Sequence, residues 1–146
     1  MVTLRTLCVI ACALSIVFSS CTSKKDSDNN TSGDGEWKPM DDFHTIMAES
    51  FHPFRDSADL GPAIANAESM AAAAEKWLNS PIPEKVNNDE VKTKLQELND
   101  QAVSFVTISK GGDQNAIGES LTNMHDLFHS LQEEWYEDHG EGHEQH

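Results

Sequence analysis

Four stretches of this chain carry apolar residues three and four apart, and strong helix breakers separate them. The first stripe is Met40, Phe43, Met47, Phe51 and Phe54. The second is Ile64, Ala67, Met70, Ala71, Ala74, Trp77 and Leu78. The third is Val91, Leu95, Leu98, Ala102 and Phe105, and the fourth is Ile117, Leu121, Met124, Phe128, Leu131 and Trp135. That spacing returns each set to one face of a 3.6-residue helix. An apolar stripe must be buried against another element, and no stretch shows the period-two alternation that a strand would require. The expected fold class is therefore all-α: an antiparallel up-down-up-down four-helix bundle with connections of a few residues. A long-helix hairpin that pairs with a second copy, a homodimer, would use the same stripes.

The ends of the helices are written locally. Helix 1 is expected over about 39–56, with Pro39 in the first turn, where a missing N–H costs nothing, and Asp41 and Asp42 at the positive end of the helix dipole. Pro53 should kink this helix or end it early. Helix 2 is expected over about 62–78, closed by Asn79-Ser80-Pro81-Ile82-Pro83. Helix 3 should span about 89–109, capped by Asn88 and closed by Lys110-Gly111-Gly112. Helix 4 should start after Asp113 and run to about Glu137. Trp37 and Trp77 fit a core or a pocket lining.

Before the first stripe lies a different kind of sequence. Arg5 precedes the apolar run 7–18 (LCVIACALSIVF), which is short for a membrane-spanning helix and has the anatomy of an export signal. The segment Phe18-Ser19-Ser20-Cys21 resembles the lipobox of bacterial lipoproteins, with Phe18 where that pattern prefers Leu. The resemblance implies cleavage of residues 1–20 and lipidation of Cys21. Of the three cysteines, Cys8 and Cys12 would leave with the signal, so the remaining chain could form no internal disulfide. Several acyl chains on Cys21 would anchor it stably to a bacterial membrane, with the domain outside the cytoplasm in the cell envelope. Residues 21–36 are polar and rich in Ser, Asp, Asn and Gly, which makes them a flexible tether. Residues 37–138 supply one domain, and 139–146 form an acidic, His-rich tail.

The formal net charge is −15, and −16 once Arg5 is removed. That balance excludes a nucleic-acid partner, because phosphates need Lys and Arg. It also disfavours lying flat on an anionic membrane, so the membrane partner is reached through the lipid anchor only. An envelope protein is a further partner compatible with the composition.

Histidine is the residue type that stands out, with seven in the chain. His44 and His52 fall on helix 1, His125 and His129 on helix 4, and His139, His143 and His146 in the tail. At 100° per residue, His44 and His52 lie on one flank of the first stripe, and His125 and His129 on the like flank of the fourth. First and last helices are neighbours in the bundle, so these flanks share a seam. His125 and His129 are one turn apart, about 6 Å, while His44 and His52 are two turns apart, about 12 Å. The expected metal site is therefore His125 and His129 with one helix 1 histidine, His52 falling near the level of His125. Neutral imidazoles one turn apart chelate borderline ions such as Zn, Cu or Ni. Met40 and Met47 are soft donors nearby, Glu49 is a hard one, and the tail histidines form a weak metal-gathering tract.

The layout resembles exported four-helix bundles of two families: the four-helix cytochromes, including cytochrome c-prime and its b-type relatives, and the periplasmic heavy-metal-binding bundles. The first resemblance implies a b-type haem between Met40 or Met47 and His125 or His129. No Cys-x-x-Cys-His is present, which excludes covalent c-type attachment. Di-iron carboxylate sites need paired Glu-x-x-His motifs, and only Glu49-Ser50-Phe51-His52 fits. No nucleophile with a positioned base is visible, and Glu68 and Glu75 read as solvated faces, so no enzyme activity is expected. Three functions follow as expectations: a transition-metal-binding lipoprotein, a b-type haem electron-transfer bundle, and a cofactor-free structural or partner-binding lipoprotein.

Overall fold

In the computed structural model, residues 36–137 are described. The signal, Cys21, the tether up to residue 35 and the tail histidines lie outside them. Four helices and one short 3-10 turn follow one another: α1 (Lys38–Ser57), α2 (Gly61–Leu78), the turn Glu84–Val86, α3 (Asp89–Gly111) and α4 (Gln114–Glu137). Among the described residues there is no strand. The chain is a four-helix bundle in which each helix packs on its sequence neighbours and α4 returns to α1. Residue pairs across the seams run in opposite order. Asp42 meets Lys76 and Ser50 meets Asn66 between α1 and α2, while His44 meets Phe128 and Phe54 meets Gly118 between α1 and α4.

The caps are local chemistry. The Val91 N–H donates to Asn88 Oδ1 at 2.8 Å, satisfying one of the four donors a helix start leaves open. Asp113 does the same for α4, accepting from the Asn115 and Ala116 N–H groups. Gly112 ends α3 at φ 77°, a left-handed conformation that suits a residue without Cβ. Ala58 ends α1 in the same region at φ 56°, where its Cβ is strained.

Two expectations change. Pro53 does not end α1, which continues to Ser57. The residues beyond it are held by the tertiary contact of Phe54 on Gly118, and the Pro53 carbonyl accepts from the Ser57 hydroxyl at 2.9 Å. The buried stripe of α2 is Ala63, Ala67, Met70, Ala74 and Trp77, which leaves Ile64 39% exposed. Small side chains face the neighbours because they let the backbones approach, and the larger Ile64 is turned to the edge.

One core runs the length of the bundle. At one pole Trp37 meets Trp77 edge to face and Trp135 at a tilt, with centroids 5.1 and 5.5 Å apart. The Lys85 ammonium caps this cluster 3.1 Å above the Trp135 ring and donates to the Trp135 carbonyl. Trp37 and Trp77 are thus core residues. No described helix is long and apolar enough to cross a membrane.

Candidate metal site at the seam of the first and last helices

The seam between α1 and α4 is the loosest of the four, and rings fill it. Phe43 lies 5.7 Å from Phe128, His44 stacks on Phe128 at 5.1 Å, and Phe51 stacks on His125 at 3.7 Å with 12° between the planes. Aromatic side chains hold these two helices further apart than alanine holds α1 and α2. The outer edge of the seam is open, with His44, His52 and His129 exposed and His125 half-buried.

His125 and His129 form the built part of the site. Their Nε2 atoms approach to 3.1 Å, and the rings meet edge to face. A tetrahedral ion with Zn–N bonds of 2.0–2.1 Å needs its two nitrogens about 3.3 Å apart. The pair is therefore within a few tenths of an ångström of a chelating bite. Asp126 Oδ1 lies 3.3 Å from His125 Nδ1. With Nδ1–H donating there, the His125 Nε2 lone pair faces His129, the tautomer that a metal ligand requires. Burial under Phe51 pushes the His125 imidazolium below its ordinary range. The Asp126 hydrogen bond opposes that shift, and the charges of His129 and His52 add to it. The net downward shift favours the neutral, ligand-competent form of His125.

The other two histidines are not brought to the same point. Among the described residues no group of three His, Cys, Asp or Glu side chains converges as metal ligands. Of the histidines expected at this seam, His125 and His129 are in contact, and no helix 1 histidine joins them as a third ligand among the described residues. His44 is drawn onto the face of Phe128. His52 stays close enough to act on His125 by charge, but the Phe51 ring beside it occupies the α1-facing side of His125. The stripe periodicity placed Phe51 in the core without showing that its edge position would wedge the helix 1 donors away. Asp126 was missed as the partner of His125, although its position one residue on could have suggested it.

The haem alternative does not fit these side chains. Met40 and Met47 are each 1% exposed and sealed in the core, and the space beside His125 is filled by Phe51. Glu68 pairs with Lys110 at 3.0 Å on the outer surface. A cleft of about 520 Å³ lies on the other side of α4, between it and α3, lined by Glu97, Asp100, Gln101, Ser104, Ile108 and Glu119 among others. No histidine lines it.

No protein-family model, curated protein or solved structure matches the chain.

Proposed function

We propose that this protein is an exported, lipid-tethered bundle that takes up a borderline transition ion, Zn, Cu or Ni, on the exposed edge of the α1–α4 seam. The observation that carries the reading is the convergence of the His125 and His129 Nε2 atoms at 3.1 Å. The downward shift that burial gives the His125 imidazolium supports it, because only the unprotonated imidazole ligates. So does the surface position of the pair, which permits exchange of the ion with solvent or with a partner. The envelope location and the lipid anchor rest on residues 1–21, where an export signal precedes Cys21.

Zinc binding to the full chain carrying His139→Ala, His143→Ala and His146→Ala, followed by elemental analysis after gel filtration, tests the site. Stoichiometric metal that disappears when His125→Ala and His129→Ala are added is the expected result. A chain that retains its metal without the pair refutes the assignment, and a chain that binds none leaves a cofactor-free bundle. Detergent-phase partition of the full chain in its bacterial host tests the tether. Cys21→Ser should move it to the aqueous phase, and unchanged partition would overturn the anchor.

A further inference from the structure

An imidazole that holds a metal must be aimed as well as unprotonated, and its covalent geometry does not aim it. The torsion that turns a histidine ring about its Cβ–Cγ bond is broad, without sharp staggered wells. On a helix surface such a ring swings unless a neighbouring group fixes its plane. His129 is exposed, and its ring meets Phe128 edge to face with centroids 5.5 Å apart. The half-buried member, His125, is the one whose plane the structure fixes. Besides His129, Asp126 and Phe51 touch it. Asp126 Oδ1 lies 3.3 Å from Nδ1, a long hydrogen bond, and the Asp126 side chain is 72% exposed, so water competes for it. Phe51 lies flat against the ring, with centroids 3.7 Å and planes 12° apart. The hydrogen bond selects a tautomer, whereas the close, half-buried stack is the stronger constraint on the plane.

Phe51 is itself held in place. It packs half-buried against the core, and Phe54, three residues on in α1, meets it edge to face at 6.1 Å. Phe54 in turn lies over Gly118 of α4. A backed ring on α1 thus presses on a histidine of α4 across the seam. Turning the His125 ring about its Cβ–Cγ bond would drive one of its edges into the Phe51 face, so Nε2 stays directed at His129, 3.1 Å away. We infer that Phe51 is the positioning residue of the pair: its ring fixes the plane of His125 and pre-sets the bite of the two Nε2 atoms. A site ordered before the ion arrives does not spend affinity on ordering itself. The inference rests on the His125–His129 reading of the preceding subsection and adds to it the residue that sets how tightly the pair binds.

The test is a zinc titration against a chromophoric chelator, on the full chain carrying His139→Ala, His143→Ala and His146→Ala in detergent. Phe51→Leu keeps an apolar side chain but removes the flat face, and should weaken zinc binding about tenfold. Phe51→Tyr restores the face and should restore the affinity. Phe54→Leu loosens the same seam without touching His125. It should lower the melting temperature and leave the affinity unchanged. In the metal-free parent the His125 ring protons should show the upfield nuclear magnetic resonance shift of protons over an aromatic face, lost in Phe51→Leu and kept in Phe51→Tyr. Full affinity in Phe51→Leu overturns the inference and leaves the metal reading standing. So does an equal loss in Phe54→Leu, which would trace the effect to seam packing, and so does a failure of Phe51→Tyr to rescue. Absence of the upfield shift in the parent overturns the inference whatever the variants do. A parent chain that takes up no zinc overturns the metal reading and the inference with it.

Discussion

Replacing Gly118 with alanine probes how closely α1 and α4 approach, and its sign depends on one ring. A Cβ at position 118 would lie 2.9 Å from Phe54 Cζ and 3.1 Å from Phe54 Cε2, and the next nearest atom is Cε1 of the same ring at 3.8 Å. Gly118 lies inside α4, so alanine there gains about 1 kcal/mol of helix propensity. Against that stands the overpacking of Phe54, which must tilt toward Phe51, at a cost of about 1–3 kcal/mol. The net expectation in the wild-type background is a loss of about 0–2 kcal/mol. In a Phe54→Ala background the obstacle is gone, and the same substitution should stabilise by about 1 kcal/mol. The coupling across the double-mutant cycle is then about 1–3 kcal/mol. Urea denaturation followed by far-ultraviolet circular dichroism reads it. With a slope of roughly 1–2 kcal/mol per molar urea, the midpoint should fall or stay level in one background and rise by about 0.5–1 M in the other. Equal shifts in both backgrounds would refute the packing of Phe54 over Gly118, and with it the approach of α1 to α4 at that end of the bundle.

Three further outcomes are expected. Ala58→Gly should raise the melting temperature, with a gain of about 1 kcal/mol, because it removes Cβ strain at φ 56°; a loss of stability would show that the left-handed cap is wrong. Asn88→Ala should cost about 0.5–2 kcal/mol and speed amide exchange in the first turn of α3, where the Val91 N–H loses its acceptor; unchanged exchange at Val91 would remove the cap. His125 carries the pH dependence. Its folded-state affinity for a proton lies below the ordinary value of 6.5, so the unfolded chain protonates first. The stability it contributes is fully present above that value and is lost as pH falls through the folded one. Metal-free protein carrying His125→Gln should therefore lose less stability than wild type between about pH 7 and 5, and parallel curves would contradict burial of the neutral ring.

The helices were legible because each repeats one pattern many times over. Their ends were legible because Asn88, Asp113 and Gly112 each act on the backbone within a few residues. The early end that Pro53 alone would suggest does not occur, and α1 keeps the span of about 39–56 that its stripe indicated; Phe54 beyond it packs against Gly118, a contact between positions 64 residues apart that no local pattern encodes. Ile64 misled for a related reason: periodicity locates a stripe but does not choose between Ala63 and Ile64 for its centre, and the close approach of the neighbouring helices makes that choice. At the site, helical spacing alone brought out the His125–His129 pair. The fate of His44 and His52 depended on where the rings of Phe128 and Phe51 came to rest, which is a matter of three-dimensional packing.

The contact of Trp37 with Trp135 places the start of α1 and the end of α4 at the same pole. The covalent order of the helices is then largely interchangeable with their spatial order. A short linker from Glu137 to Glu36 would close the backbone into a ring, and the chain could be reopened between Gly112 and Asp113, where α3 has ended and α4 has not begun. In that circular permutant α4 and α1 become a covalent hairpin, and their seam passes from the longest-range pairing in the molecule to one of its most local. If the α1–α4 seam is the last to form in the natural chain, the permutant should fold faster while keeping the same four stripes and the same core.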